Sequence, residues 1–237
     1  MTAVPVRRRL RDTPPVEGTA LVCLPHAGAG AASFARWLGL FDAPIGVVRA
    51  QLPGREDCAS EEPLRRVADA VELLFPEVAA LPRVALYGHS MGAVIAFELA
   101  RALAAAGRAP AHLFVSGRRA PHCRARHRGI HRLPDAEFAE ALGSAVIGPP
   151  HFLRYALALT RADLTLSEDY SGAADPRVPC PITAFHGRDD PIVAVDEVQA
   201  WSAATTGTFT LHLLEGEHLF HQPRRRELAA LMTGALT

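Results

Sequence analysis

Ser90 stands between two glycines in LYGHSMGA (86–93), at the point where an apolar run gives way to an alanine-rich one. In G-x-S-x-G the serine occupies a sharp strand-to-helix turn, and the glycines let neighbouring backbone approach without a clash. The helix that follows directs its first amide groups and the positive end of its dipole at the same spot. A hydroxyl held there becomes a nucleophile once a base takes its proton and a carboxylate orients the base. The partners are expected in the order serine, acid, histidine. HGRDDPIV (186–193) supplies Asp189 and Asp190, and EGEHLF (215–220) supplies His218. The chemistry such a set performs is acyl transfer: attack on an activated carbonyl, a covalent acyl-serine, and release by water. An oxyanion hole needs two backbone donors. Met91, directly after the serine, is one. Ala27 in the loop LPHAGAG (24–30) is the other, because glycine follows it and its amide can turn inward.

These residues need a frame that gathers distant loops at one edge. The apolar runs 19–25, 45–54, 83–88, 111–117, 182–187 and 209–216 read as strands. Several are continuous rather than alternating, which marks strands buried on both faces of a parallel sheet. Helical patterns fall at 34–41, 61–75, 92–107 and in the last segment, PRRRELAALMTGAL. Strand and helix alternate, so the fold class is α/β, a doubly wound sheet. Ligands of such sheets bind beyond the carboxyl ends of the strands, and Ser90, the two aspartates and His218 all follow strands there. Residues from about 133 to 170 break the alternation with helical patterns and no strand. They read as a helical lid over one edge. Residues 1–17 read as a loose basic lead-in, with no strand before residue 18. The whole, 1–237, reads as a single domain.

Composition narrows the classes. Acids and bases balance at 25 each among 237 residues, with 49% hydrophobic residues. A neutral total argues against a general nucleic-acid or membrane-surface binder. No apolar run is long enough for a membrane span, and the N-terminus does not read as a secretory signal. The cysteines, 23, 58, 123 and 180, are scattered without a C-x-x-C pair. That fits reduced thiols in the cytoplasm.

With these motifs in hand, the chain resembles the stand-alone type II thioesterases of polyketide and non-ribosomal peptide assembly lines. The resemblance rests on CLPHAGAGAASFARW (23–37), QLPGREDC (51–58), YGHSMGAVIAFELAR (87–101), FVSGRRAPH (114–122), LPDAEF (133–138), RADLTLSEDY (161–170), HGRDDPIV and GEHLF. It implies the α/β-hydrolase fold and hydrolysis of acyl groups from the phosphopantetheine arm of acyl or peptidyl carrier proteins, clearing stalled or mis-primed units. It implies Ser90, Asp190 and His218 as the triad. Asp190 is preferred to Asp189 because Gly187, Asp190 and Val193 match the G-x-x-D-x-x-V spacing of the α/β-hydrolase acid loop. No metal or other cofactor is expected, and the chain is expected to be monomeric. A general carboxylesterase, an acyltransferase, or a silent relative that only binds a synthase are the alternative readings.

One stretch stands apart. GRRAPHCRARHRGIHR (117–132) holds six arginines and no acid. Arg118 and Arg119 are expected to receive the acidic carrier or the phosphate of its arm. His122, Cys123, His127 and His131 lack the fixed spacing of zinc sites, so a metal is not expected there.

Overall fold

The computed structural model describes residues 8–12, 17–42, 44–126, 128–143, 149–172 and 176–237. Its strands are β1 (Leu10–Arg11), β2 (Thr19–Leu24), β3 (Ile45–Ala50), β4 (Val84–His89), β5 (His112–Ser116), β6 (Ile182–Gly187) and β7 (Phe209–Leu214). The α-helices are α1 (Val67–Ala79), α2 (Met91–Ala105), α3 (Asp135–Leu142), α4 (Pro150–Glu168), α5 (Val195–Gln199) and α6 (Arg225–Leu236). The seven strands form one sheet in the order β1-β3-β2-β4-β5-β6-β7. All neighbours are parallel except β1, which pairs antiparallel with β3 through Leu10–Ala50 and Arg11–Arg49. β2 lies between β3 and β4, so the chain reverses its direction of travel across the sheet there. The crevice above the carboxyl ends of β2 and β4 is the topological switch point where open α/β sheets bind ligands.

Alternate side chains of the central strands feed two apolar layers. Val22, Leu24, Leu86, Leu113 and Val115 pack against α1 and α2 through Leu74, Val78, Ile95 and Leu99. Leu21, Cys23, Tyr87, Phe114 and Phe185 pack on the other face against Phe34, Trp37, Phe220 and, from α6, Leu228 and Met232. Burial on both faces is why these strands read as unbroken apolar runs.

The structure corrects three local expectations. The lead-in contains a strand, Leu10–Arg11, too short to show a period; Glu77 of α1 accepts the amides of Arg9 and Leu10 and holds it at the sheet edge. The segment at 34–41 is instead a 3-10 helix, Ala31–Trp37. The helix expected at 61–75 starts only at Val67 and runs past Pro76 to Ala79. Proline lacks the amide that would bond the carbonyl of Glu72, but Glu72 is exposed, so water can serve that carbonyl. Cysteines 23, 58, 123 and 180 are free thiols.

The insertion at 133–170 holds α3 and α4; residues 144–148 within it lie outside the described residues. α4 turns Leu159, Ala162, Asp163 and Leu166 inward, a stripe at helical spacing. Among the described residues no helix is long and apolar enough to cross a membrane.

Candidate active site

Ser90 follows the last residue of β4 and precedes the first of α2. Its backbone sits at φ 52°, ψ −111°, a conformation that costs a non-glycine residue about 1–3 kcal/mol and persists only where its surroundings hold it. Here the Ser90 amide donates to the Ser116 carbonyl of β5 at 2.8 Å, and the Ser90 carbonyl accepts from Ala93 at 3.1 Å. The flanking glycines are required by space. A Cβ on Gly88 would fall 2.1 Å from the carbonyl oxygen of Gly92, and one on Gly92 would fall 2.1 Å from that of Leu24. Close packing and exposure of the hydroxyl are therefore one device: α2 can start so near β2 and β4 only because both positions lack side chains.

The loops after β6 and β7 bring the other two groups. Arg188 and Asp189 donate their amides to the carbonyls of Leu214 and Gly216 at 2.8 and 3.1 Å, which laces the two loops together. His218 Nε2 lies 3.1 Å from Ser90 Oγ, and its Nδ1 lies 2.8 Å from Asp190 Oδ2. The other oxygen of Asp190, Oδ1, accepts the amides of Ile192 and Val193 at 2.8 and 3.2 Å. The Asp190 side chain is 0% exposed, whereas Asp189 is exposed; the structure brings Asp190 and not Asp189 to the histidine. Burial alone would raise the Asp190 carboxyl. The hydrogen bond and charge of His218 and the two amides more than offset it and hold the group below its ordinary value. Asp190 is thus held as a carboxylate, an acceptor beside His218 Nδ1, and the tautomer with its proton on Nδ1 leaves Nε2 free to accept from the serine. Gly117, after β5, leaves room for the ring: at φ +56°, its added Cβ would lie 2.7 Å from His89 Cε1 and 3.4 Å from His218 Cε1.

Two amides face the requirements of an oxyanion site. Met91 is the first residue of α2, and the first amides of a helix have no intrahelical acceptor. In the loop after β2, the Gly28 amide is taken by Asp163 Oδ2 at 2.8 Å and that of Ala29 by the His26 carbonyl at 3.1 Å. Among the described residues no protein acceptor takes the amide of Ala27.

A group of buried imidazoles, not singled out in the sequence, lies behind the relay. His89 and His221 stack with ring centres 3.8 Å apart, and His26 meets them edge-on at 5.8 and 5.3 Å. His218 is 5.2 Å from His89. Burial first, and then the neighbouring His218, lowers His26 to about 4. Burial and the surrounding imidazoles push His89 and His221 well below the ordinary histidine range. These rings are neutral at neutral pH. The unfolded chain takes up their protons first as pH falls through about 6.5, so the stability of the fold is present above that pH and declines below it, down to the folded-state value near 4 for His26. At pH 5, His26 alone costs the fold about 2 kcal/mol relative to pH 8. Urea unfolding at the two pH values should show a loss at least this large; equal stability would contradict burial of the neutral rings.

The basic stretch behaves differently from expectation. Arg118 is buried, and its guanidinium donates to Ser167 Oγ at 2.9 Å and to the Ser167 carbonyl at 2.6 Å. It ties the loop after β5 to the end of α4 and is not a docking residue. Sequence pattern could not show this, because the acceptors lie 49 residues away. Arg119 is half-buried and bonds the Cys123 carbonyl. Arg126 and Arg132 pair with Asp196 and Asp169, so much of the apparent charge is met by acids from elsewhere in the chain. His131 bonds Glu168; His127 lies outside the described residues.

A serine at a positive-φ turn after a central parallel strand, with its acid and histidine in loops after the last two strands, places the molecule in the α/β-hydrolase class. The chain belongs to the thioesterase domain family, whose model matches residues 19–232. It is 36% identical over 221 residues to the gramicidin S biosynthesis protein GrsT of Aneurinibacillus migulanus, covering 90% of this chain and 86% of that one. It is 34% identical over 227 residues to the thioesterase PikA5 of Streptomyces venezuelae, covering 90% and 79%. The solved structure of the type II thioesterase BorB from the borrelidin biosynthetic cluster superposes with a TM-score of 0.88 at 34% identity, over 96% of this chain and 97% of that one.

Proposed function

We propose that the chain is a type II thioesterase that hydrolyses acyl groups from the phosphopantetheine arm of acyl or peptidyl carrier proteins, removing aberrant or stalled units from a polyketide or non-ribosomal peptide synthase. The observation that carries this reading is the continuous relay Ser90–His218–Asp190, at 3.1 and 2.8 Å, in a chain of the thioesterase family. Ser90 Oγ attacks the thioester carbon while His218 Nε2 takes its proton. The carbonyl oxygen becomes an oxyanion between the Ala27 and Met91 amides. Collapse breaks the C–S bond, and the proton on His218 passes to the departing sulfur. Water then attacks the acyl-serine, giving its proton to His218, which returns it to Ser90 Oγ as the acid leaves. A thiolate is a better leaving group than an alkoxide, so the relay meets a lower barrier on thioesters than on oxygen esters. The nucleophile, base and oxyanion donors all come from the chain, and the reaction asks for no cofactor of its own. The phosphopantetheine is the carrier's. The reading is of a monomeric cytoplasmic enzyme.

The test is a panel of acyl groups on one carrier protein, set beside oxygen esters of the same acids and an amine or alcohol acceptor, with Ser90→Ala as control. Faster release of free acid from the carrier thioester is expected. Preference for the oxygen esters would make the enzyme a carboxylesterase, and transfer to the acceptor would make it an acyltransferase. Equal turnover by wild type and Ser90→Ala would leave a binding protein.

A further inference from the structure

The lid and the loop that carries the Ala27 amide meet at a buried ion pair. The side chains of Arg55 and Asp163 are 3% and 1% exposed. Their contact is bidentate, Nη1 to Oδ2 and Nη2 to Oδ1, both at 2.7 Å. Every further bond of the pair goes to backbone. Asp163 Oδ2 accepts the Gly28 amide at 2.8 Å. Arg55 Nη1 donates to the Ala29 carbonyl at 2.9 Å and Nε to the Pro53 carbonyl at 3.0 Å. Gln51 Nε2 in turn donates to the carbonyl of Arg55 at 3.1 Å. The turn after His26 is therefore gripped twice, at the Gly28 amide by the lid helix and at the Ala29 carbonyl by the guanidinium. It has little slack: Gly28 is at φ +78°, and a Cβ there would sit 2.7 Å from Thr160 Oγ1 of α4.

Stability does not account for charge at this place, since apolar residues of similar volume commonly replace a buried ion pair without loss. What the pair supplies is direction. A planar fork on a carboxylate fixes two peptide groups on either side of one bend. We infer that Arg55 and Asp163 are positioning residues for the oxyanion hole: by fixing the Gly28 and Ala29 peptides they fix the Ala27 amide that precedes them. Because Asp163 belongs to α4, the hole is complete only while the lid helix rests on the loop, and the seating of the lid sets the competence of the site. The inference rests on the reading of Ala27 as an oxyanion donor.

The experiment compares Asp163→Asn, Arg55→Lys and the double variant Arg55→Met/Asp163→Leu with wild type. Turnover of an acyl-carrier thioester is measured per active site, titrated to completion with a fluorophosphonate, alongside Tm. The asparagine keeps an acceptor for Gly28 but leaves the guanidinium without its ion; the lysine keeps charge without the fork. Each is expected to lower kcat per titrated site by about 10- to 100-fold, with KM within about threefold of wild type. The apolar double variant is expected to restore Tm while kcat stays low, which a merely structural role would not produce. Overturning the inference takes a folded double variant with kcat per site within about twofold of wild type, or losses confined to KM. Wild-type protein that took up no fluorophosphonate at Ser90 would instead defeat the functional reading itself.

Discussion

His218→Ala is expected to lower kcat on an acyl-carrier thioester by about 10⁴- to 10⁶-fold, and adding Ser90→Ala to it is expected to cost little more. The two residues act as a unit: without the imidazole, the Ser90 hydroxyl keeps its proton at neutral pH, and without the hydroxyl the imidazole has nothing to activate. The geometry makes the claim specific. The Nε2–Oγ distance is 3.1 Å, and no intermediary group stands between them. Steady-state release of free acid, measured on the single and double variants, checks it. Additive losses in the double variant would show that the two side chains serve separate steps.

Asp190→Asn is expected to reduce kcat by about 10⁴-fold with the fold intact. The reason lies in which oxygen does what. Oδ1 is held by the amides of Ile192 and Val193, and only Oδ2 reaches His218. An asparagine at 190 must keep its oxygen toward the two amides, so its NH₂ group turns to His218 Nδ1. That nitrogen then has to accept, the ring proton moves to Nε2, and the face toward Ser90 becomes a donor that cannot take the serine proton. Measured kcat against pH should show the loss at every pH where wild type is active. Retention of more than about a tenth of wild-type kcat would mean that Asp190 acts only as a distant charge.

The relay was legible before folding because each of its members follows a strand, and a parallel sheet collects strand ends at one edge. The spacing around Asp190 resolved the choice between two adjacent acids, and the burial of that carboxylate agrees. The helical insertion was legible as an interruption of the strand–helix rhythm, with α3 and α4 inside it. Other features depend on partners remote in sequence. Leu10–Arg11 is too short for a period to show, and becomes a strand only because Glu77 and β3 hold it. Arg118 looked like a surface charge in a basic run; only the fold reveals Ser167 as its acceptor. Arg55 and Asp163, 108 residues apart, sit in LPGRE and RADL, yet their pairing follows from the seating of α4. The group of His26, His89 and His221 comes from the loop after β2, the end of β4 and a turn after β7, and no local pattern marks it.

The most direct test of the central claim is rapid quenching of the protein with an acyl-carrier thioester, followed by mass analysis of the peptide that holds Ser90. The account predicts a transient acyl mass on Ser90, formed with release of the carrier thiol, lost as free acid appears, and absent from Ser90→Ala. Full turnover with no acyl group ever found on that residue, or undiminished turnover by the alanine variant, would contradict it.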